Sequence, residues 1–239
     1  MLANSPYLWQ LRRVHSCCNW WAKKSHSSNI WLQRQRRDEY VRLRRQHNFR
    51  ARSAFKLTEI NHQHKLFAPG MTVIDLGCVP GSWTQVLVST VNATGERSDA
   101  KVGKVICVDL TAMSPVSGAS FVLGDLLCPE TQRQVLALLN DTKADGMISD
   151  MAPRATGDSA VDHHRIIALC RAALYFLVKN DCLAEGGVFL CKIWDGPDRN
   201  KLQSAMQLLF QKVSLIKPDA SRKDSAELYL LGRGYKYVK

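Results

Sequence analysis

The sequence predicts an α/β fold: a doubly wound sheet of seven strands, mostly parallel with the last strand antiparallel, and helices on both faces. Two patterns predict it. Short apolar runs alternate with helical patterns along the chain, with no internal repeat or low-complexity tract, as in crossover-connected strands. Four successive apolar runs also end in an acid: Val73-Ile74 in Asp75, Val105–Val108 in Asp109, Phe121–Leu123 in Gly124-Asp125, and Met147–Ser149 in Asp150. One acid after a strand is usually a cap or a solvated turn. Four at the same end of one sheet line one edge, where open α/β sheets bind ligands.

The stretch Val73 to Gln85, VIDLGCVPGSWTQ, organises the rest. It reads as a strand, a tight turn with Gly77, Pro80 and Gly81, then Ser82 as an N-cap and a helix over Trp83–Val91. The glycines let backbone approach a ligand closely, and the unpaired N–H groups of a helix start favour a polar or anionic group. The spacing G-x-x-x-G, with a proline inside, is not the G-x-G-x-x-G of dinucleotide enzymes, which weighs against a nicotinamide dehydrogenase. Asp109, after the second strand, is placed to hold the two ribose hydroxyls of an adenosine cofactor.

The other elements follow in order. Ser53–Leu66 reads as an amphipathic helix capped by Ser53, with Phe55, Leu57 and Ile60 apolar. Lys56 falls in its first turn, an electrostatically poor place for a cation. Residues 92–103 are a polar loop. Helices are predicted over Glu130–Leu139, Val161–Val178 and Asn200–Phe210. Gly186-Gly187 end a loop before the strand Val188–Cys191, which Lys192 follows. Val213–Ile216 and Glu227–Leu231 are the last strands. The basic loop between them carries Arg222 and Lys223, and the hairpin-like spacing predicts antiparallel pairing.

Composition bounds the partners. Of 239 residues, 46% are apolar, enough for a sizeable core, and the absence of a run of eighteen or more apolar residues predicts no membrane span. The net charge of +12 is uneven: residues 1–55 hold twelve Lys or Arg against two acids, while the remainder is close to neutral. Residues 1–33 contain no acid, several serines and Arg12, Arg13, Lys23 and Lys24, the composition of a mitochondrial transit peptide and hence of a matrix protein; the alternative is a disordered, solvated leader. Residues 34–52 are dense in arginine, with Tyr40 and Phe49 interleaved, and read as an RNA-contacting segment or as a plain charged helix. Residues 53–239 form the α/β domain. The eight cysteines include no C-x-x-C, so they read as reduced, mostly core residues. No Cys/His spacing suggests zinc, and the adjacent His163 and His164 would point in different directions from a helix.

Six motifs in order resemble the FtsJ/RrmJ family of RNA ribose 2′-O-methyltransferases: RARSAFKL (50–57), DLGCVPGSW (75–83), VDL (108–110), SDMAPRATG (149–157), CKIWDG (191–196) and KPDASRKDSAELY (217–229). Within it, the chain is similar to the animal mitochondrial branch, which methylates a uridine of large-subunit ribosomal RNA. The resemblance implies a Rossmann-like sheet with S-adenosyl-L-methionine as cofactor. It assigns Pro80, Gly81, Ser82 and Trp83 to the cofactor's methionine side, Asp109 to its ribose, Asp125 and Leu126 to its adenine, and Asp150 to its amino group and sulfonium; Gly77, read from the turn itself, joins the cofactor-binding residues. It implies a catalytic tetrad of Lys56, Asp150, Lys192 and Glu227. Lys192 is the candidate for accepting the proton, which needs a neutral amine; the alternative is that it stays charged and steers the hydroxyl lone pair at the methyl. It also implies a partner, large-subunit rRNA in an assembling mitochondrial ribosomal particle. The local basic patches are the expected contacts: Arg50 and Arg52 of the arginine segment, Arg222 and Lys223 of the loop before the last strand, and Arg154 beside the site. Cys78-Val79 replace two small residues of the family's turn, Ser82 a frequent glycine, and Arg154 a common asparagine. The alternative is an RNA-binding ribosome-assembly factor in which methyl transfer is dispensable.

Overall fold

The computed structural model describes residues 38–222 and 225–236; the acid-free leader lies outside them. In chain order the elements are α1 (Glu39–Gln46), α2 (Ala54–His64), β1 (Thr72–Leu76), α3 (Ser82–Val91), β2 (Lys104–Asp109), β3 (Ala119–Leu123), α4 (Pro129–Leu139), β4 (Ala144–Ser149), α5 (Ser159–Lys179), β5 (Leu183–Trp194), α6 (Arg199–Leu209), β6 (Phe210–Ile216) and β7 (Glu227–Tyr235). The strands form one sheet in the order β3-β2-β1-β4-β5-β7-β6. β1 to β5 pair in parallel, and β7 inserts antiparallel between β5 and β6. The predicted fold class is the observed one.

The central strands β1, β2 and β4 are buried on both faces, as a parallel sheet covered by crossover helices requires, while the edge strands β3 and β6 are partly exposed. Alternate residues of β1 serve different cores. Val73 packs with Leu57, Leu87 and Ile148 beneath α2 and α3. Ile74 and Leu76 pack with Val135, Ile166 and Phe176 beneath α4 and α5. The order reverses between β1 and β4, so the carboxyl ends of β1, β2 and β4 flank the switch point where ligands of such sheets bind.

Local signals explain most boundaries. Pro129 stands at the start of α4, and Asp158 caps α5 by accepting from the Ala160 and Val161 N–H groups at 2.9 and 3.2 Å. Asn92 and Asn140 end α3 and α4 in the left-handed region. Two expectations change. Gly186-Gly187 are not in a loop before β5. The strand starts at Leu183 and runs twelve residues through them, its register shifting between the Ala144–Leu183 and Gly146–Val188 pairs. Gly186, at φ +79°, takes up that irregularity. Phe210 is not helical; it opens β6, where its ring lies 6.3 Å from that of Phe189. Cys78, Cys107, Cys170, Cys182 and Cys191 are buried free thiols, and Cys128 is an exposed one.

The inserted strand depends on a glycine. A Cβ on Gly232 of β7 would lie 2.7 Å from the buried Phe210 ring, which covers that glycine. Gly232→Ala is therefore expected to overpack the β6–β7 seam and lower stability by about 1–3 kcal/mol, measured as the denaturant midpoint at unchanged slope.

Candidate active site

The site is built from the carboxyl ends of β1, β2 and β4, the ends of β5 and β7, and the first turn of α2. The turn after β1 leaves the strand through Gly77 at φ +73°, where a Cβ would strike the Met151 backbone at 2.8 Å. Gly81, at φ +102°, is the N-cap of α3. Ser82, read as that cap, is instead the first helical residue. Ser53 stands at the N-cap of α2 and likewise makes no side-chain cap. The two hydroxyls bond each other at 2.8 Å, and Trp83 Nε1 donates to Ser53 O at 2.8 Å. The starts of the two helices are thus joined, which brings Lys56 towards the sheet edge.

Three carboxylates converge at that edge. Asp109 Oδ2 accepts from Val79 N at 2.9 Å and its Oδ1 from Thr111 N at 2.9 Å, so its orientation is set while outer lone pairs remain for ligand hydroxyls. Asp75 is fully buried. Thr84 Oγ1 donates to its Oδ2 at 2.7 Å, and its Oδ1 has no hydrogen-bond partner. Burial, with the Asp150 and Asp109 charges acting the same way, pushes the Asp75 pKa up to about 7 despite the Thr84 bond. An edge that gathers mutually repelling carboxylates, one with an orphaned oxygen, fits a ligand carrying ribose hydroxyls and positive charge. Asp125 is exposed and accepts from Leu127 N at 2.9 Å, and Leu126 beside it is buried, an arrangement open to a purine edge.

The four residues of the expected tetrad meet. Lys56 Nζ lies 2.5 Å from Glu227 Oε1, and Lys192 Nζ lies 2.9 Å from Asp150 Oδ1 and 2.5 Å from Asp150 O. Lys192 is not beyond its strand, as the sequence suggested, but inside β5 and buried, directly across from Tyr229 of β7. Tyr229 is the residue that sequence reasoning missed. Its hydroxyl lies 3.2 Å from Glu227 Oε1 and 3.4 Å from Asp150 Oδ1, long distances that suit one proton shared between two acceptors. The result is one chain of groups, Lys56–Glu227–Tyr229–Asp150–Lys192. Glu227 and Tyr229 alternate on one strand and so face the same side, a signal present in the E-x-Y spacing. Burial, then the two carboxylates, drive the Tyr229 pKa well above its ordinary value, so the hydroxyl keeps its proton. Burial opposes ionisation of Glu227, but the Lys56 ammonium and the Ser221 hydroxyl outweigh it, and its pKa lies below the ordinary value.

The arginines divide. Arg52 and Arg222 line a cavity of about 210 Å³ with Lys56, Ser225 and Glu227, at the open end of that chain. Arg52 is fixed there by Ala220 O at 2.5 Å and by the Tyr40 ring, 5.4 Å from its guanidinium carbon. Arg154 is exposed in the loop after β4, which Asp162 holds by accepting from Thr156 N and Oγ1. Arg50 is directed at backbone carbonyls of the turns after β1 and β2. Lys223 lies outside the described residues. Among the described residues, no helix is long and apolar enough to cross a membrane, and no group of three or more His, Cys, Asp or Glu is placed to hold a metal.

This geometry has known counterparts. The family described as FtsJ-like methyltransferase matches residues 49–235. The chain belongs to that family. As an FtsJ-like methyltransferase it is 43% identical, over 210 residues covering 88% of this chain and 86% of the other, to a Roseobacter denitrificans protein named ribosomal RNA large subunit methyltransferase E. It is 43% identical over 218 residues, 90% of this chain and 98% of the other, to Caenorhabditis elegans rRNA methyltransferase 2, mitochondrial. A Plasmodium falciparum crystal structure described as a ribosomal RNA methyltransferase superposes with a TM-score of 0.68 at 25% identity, covering 78% of this chain and 98% of that one.

The buried Asp75 gives this methyltransferase a pH signature. Its pKa is raised on folding, so below pH about 4 it costs nothing. As pH rises from about 4 to about 7 the unfolded chain ionises first and stability falls, by ~4 kcal/mol in all. Asp75→Asn has no carboxyl to ionise there: urea titrations of the ligand-free protein should show its stability gaining on wild type across this window and levelling above it.

Proposed function

We propose that this methyltransferase transfers the methyl group of S-adenosyl-L-methionine to the ribose 2′-oxygen of a uridine in mitochondrial large-subunit ribosomal RNA. Its substrate would be rRNA in an assembling ribosomal particle of the matrix, and the modification would support ribosome biogenesis. The observation that carries this reading is the chain Lys56–Glu227–Tyr229–Asp150–Lys192 beside the turn after β1. The names of the relatives support rRNA as substrate and, in the nematode case, the mitochondrion. The acid-free first 33 residues support import and would form the leader, followed by the basic RNA-contacting segment to residue 52.

In this reading the turn Gly77, Pro80, Gly81, Ser82 and Trp83 borders the cofactor's methionine side, Asp109 holds its ribose, Asp125 and Leu126 border its adenine, and Asp150 faces its charged end. The bound cofactor supplies an electrophilic methyl on positively charged sulfur. The protein's tasks are then to position a ribose hydroxyl and to take its proton. Lys192 suits the second task. Its Nζ donates to Asp150 O and lies 2.9 Å from Asp150 Oδ1, so the amine is held in place at the sheet edge, where a neutral form would have one lone pair to accept the proton. Lys56, fixed by Glu227, stands on the cavity side, where it would donate to the target ribose. Arg52 and Arg222, which line the cavity, and Arg154 in the loop after β4 would hold flanking phosphates, joined by Lys223 of the same basic sequence stretch as Arg222.

The test is methyl transfer from labelled S-adenosylmethionine to mitochondrial large-subunit rRNA and to assembling particles, with nuclease digestion to locate the label. Wild type should label a uridine ribose 2′-oxygen, and Lys192→Ala should lose roughly a hundredfold or more in rate while still binding RNA. Cofactor binding without label on either substrate would favour the assembly-factor reading.

A further inference from the structure

The arginine segment reads as an RNA grip, but one member of it is engaged elsewhere. Arg50 Nη1 donates to Pro80 O at 3.0 Å and Ser114 O at 2.6 Å, and Nη2 donates to Pro115 O at 2.7 Å. These carbonyls belong to the turn after β1 and the turn after β2, the two walls between which Asp109 projects. The backbone of Arg50 is fixed as well. Its N–H donates to Gln85 Oε1 at 2.9 Å, and its carbonyl accepts from Arg44 Nη1 at 2.7 Å. Gln85, on α3, returns a bond from Nε2 to Asn48 O at 3.1 Å. A Cβ on Gly81 would lie 2.7 Å from Arg50 Nη1 and 3.1 Å from Met113 Sδ, so this glycine leaves the space the guanidinium fills.

We propose that Arg50 is a positioning residue of the cofactor cleft, strapping its two walls together, rather than a phosphate ligand. Asp109 ties the same walls from inside the cleft, through Val79 N and Thr111 N. Arg50 ties them from outside. The planar fork of a guanidinium reaches carbonyls on both walls at once, which the point charge of a lysine does not do. The start of α3 is also a poor place for a cation, since the helix dipole is positive there; the carbonyls offset that cost. The consequence is that residues 44–50, next to the expected RNA-contacting arginines, set the spacing of the cofactor cleft. The inference rests on the cleft taking S-adenosylmethionine, as proposed above.

The experiment compares full-length wild type, Arg50→Lys and Arg50→Ala. Amide hydrogen exchange is followed over residues 78–82 and 110–118 without ligand, S-adenosylhomocysteine binding is measured by calorimetry, and KM is determined separately for S-adenosylmethionine and RNA. A strap predicts faster exchange in both turns, and a rise of about tenfold in the S-adenosylhomocysteine Kd and S-adenosylmethionine KM. It predicts that Arg50→Lys behaves like Arg50→Ala, with RNA KM and its salt slope unchanged. Unchanged exchange in both variants overturns it. So does a wild-type-like Arg50→Lys beside an Arg50→Ala that weakens RNA binding and lowers the salt slope by about one. If wild type binds no S-adenosylhomocysteine, the proposed function falls, and the exchange comparison alone decides whether Arg50 straps the turns.

Discussion

The antiparallel pairing of β7 against β5 is the constraint on which the site depends. It sets Tyr229 directly across from Lys192, and Glu227 across from Trp194. Among the described residues, no other strand brings an acid and a phenol to that edge from the opposite chain direction. Because β7 enters at the carboxyl end of β5, its first residues are the ones that reach the switch point. α2, locked to α3 by the Ser53–Ser82 hydroxyl contact, then delivers Lys56 to Glu227, 171 residues away in sequence. The geometry of the candidate site is therefore a product of strand order, and the β6–β7 seam, where the Phe210 ring covers Gly232, supports it from behind.

Stability alone does not account for these charges. Buried ion pairs return little net stability against an apolar replacement, although removing one partner is costly. The largely buried Lys56–Glu227 and Lys192–Asp150 pairs are of this kind. Asp75 is more expensive still: it is wholly buried, keeps one oxygen unsatisfied and is repelled by Asp150 and Asp109. Groups held in such conditions concentrate where a protein handles charge. A sheet edge that gathers Asp75, Asp109 and Asp150 with the amine of Lys192 beside them is such a place, and it is the feature on which the proposed function rests.

Much of this was legible in the sequence, for identifiable reasons. The acids Asp75, Asp109, Asp125 and Asp150 each follow a short apolar run, so period and punctuation place them on one edge. The glycines at 77 and 81 mark the turn because only they accept its positive φ without strain. Long-range pairing was less accessible. Nothing local to Lys56 names Glu227 as its partner; only the resemblance of whole motifs joined them. Ser53 and Ser82 have the composition of caps, and tertiary structure diverted both hydroxyls to each other. The Gly186-Gly187 pair reads as a loop, but a bulge consumes it within one long strand. Arg50 is indistinguishable in composition from its neighbours, since what separates it is the position of three carbonyls contributed by distant turns.

The central claim is that the two ion pairs act as one unit through the Tyr229 hydroxyl. The most direct measurement is kcat for methyl transfer by Tyr229→Phe at saturating S-adenosylmethionine and RNA, with the thermal midpoint alongside. The phenylalanine ring keeps the packing against Trp83, 5.7 Å away between centroids, and removes only the bridge. The account predicts a near-native midpoint and a kcat lower by roughly tenfold or more, equivalent to the loss of one hydrogen bond to a charged group. A kcat within about twofold of wild type at the same midpoint would contradict it and leave two independent ion pairs, since about 0.4 kcal/mol is less than one such bond contributes.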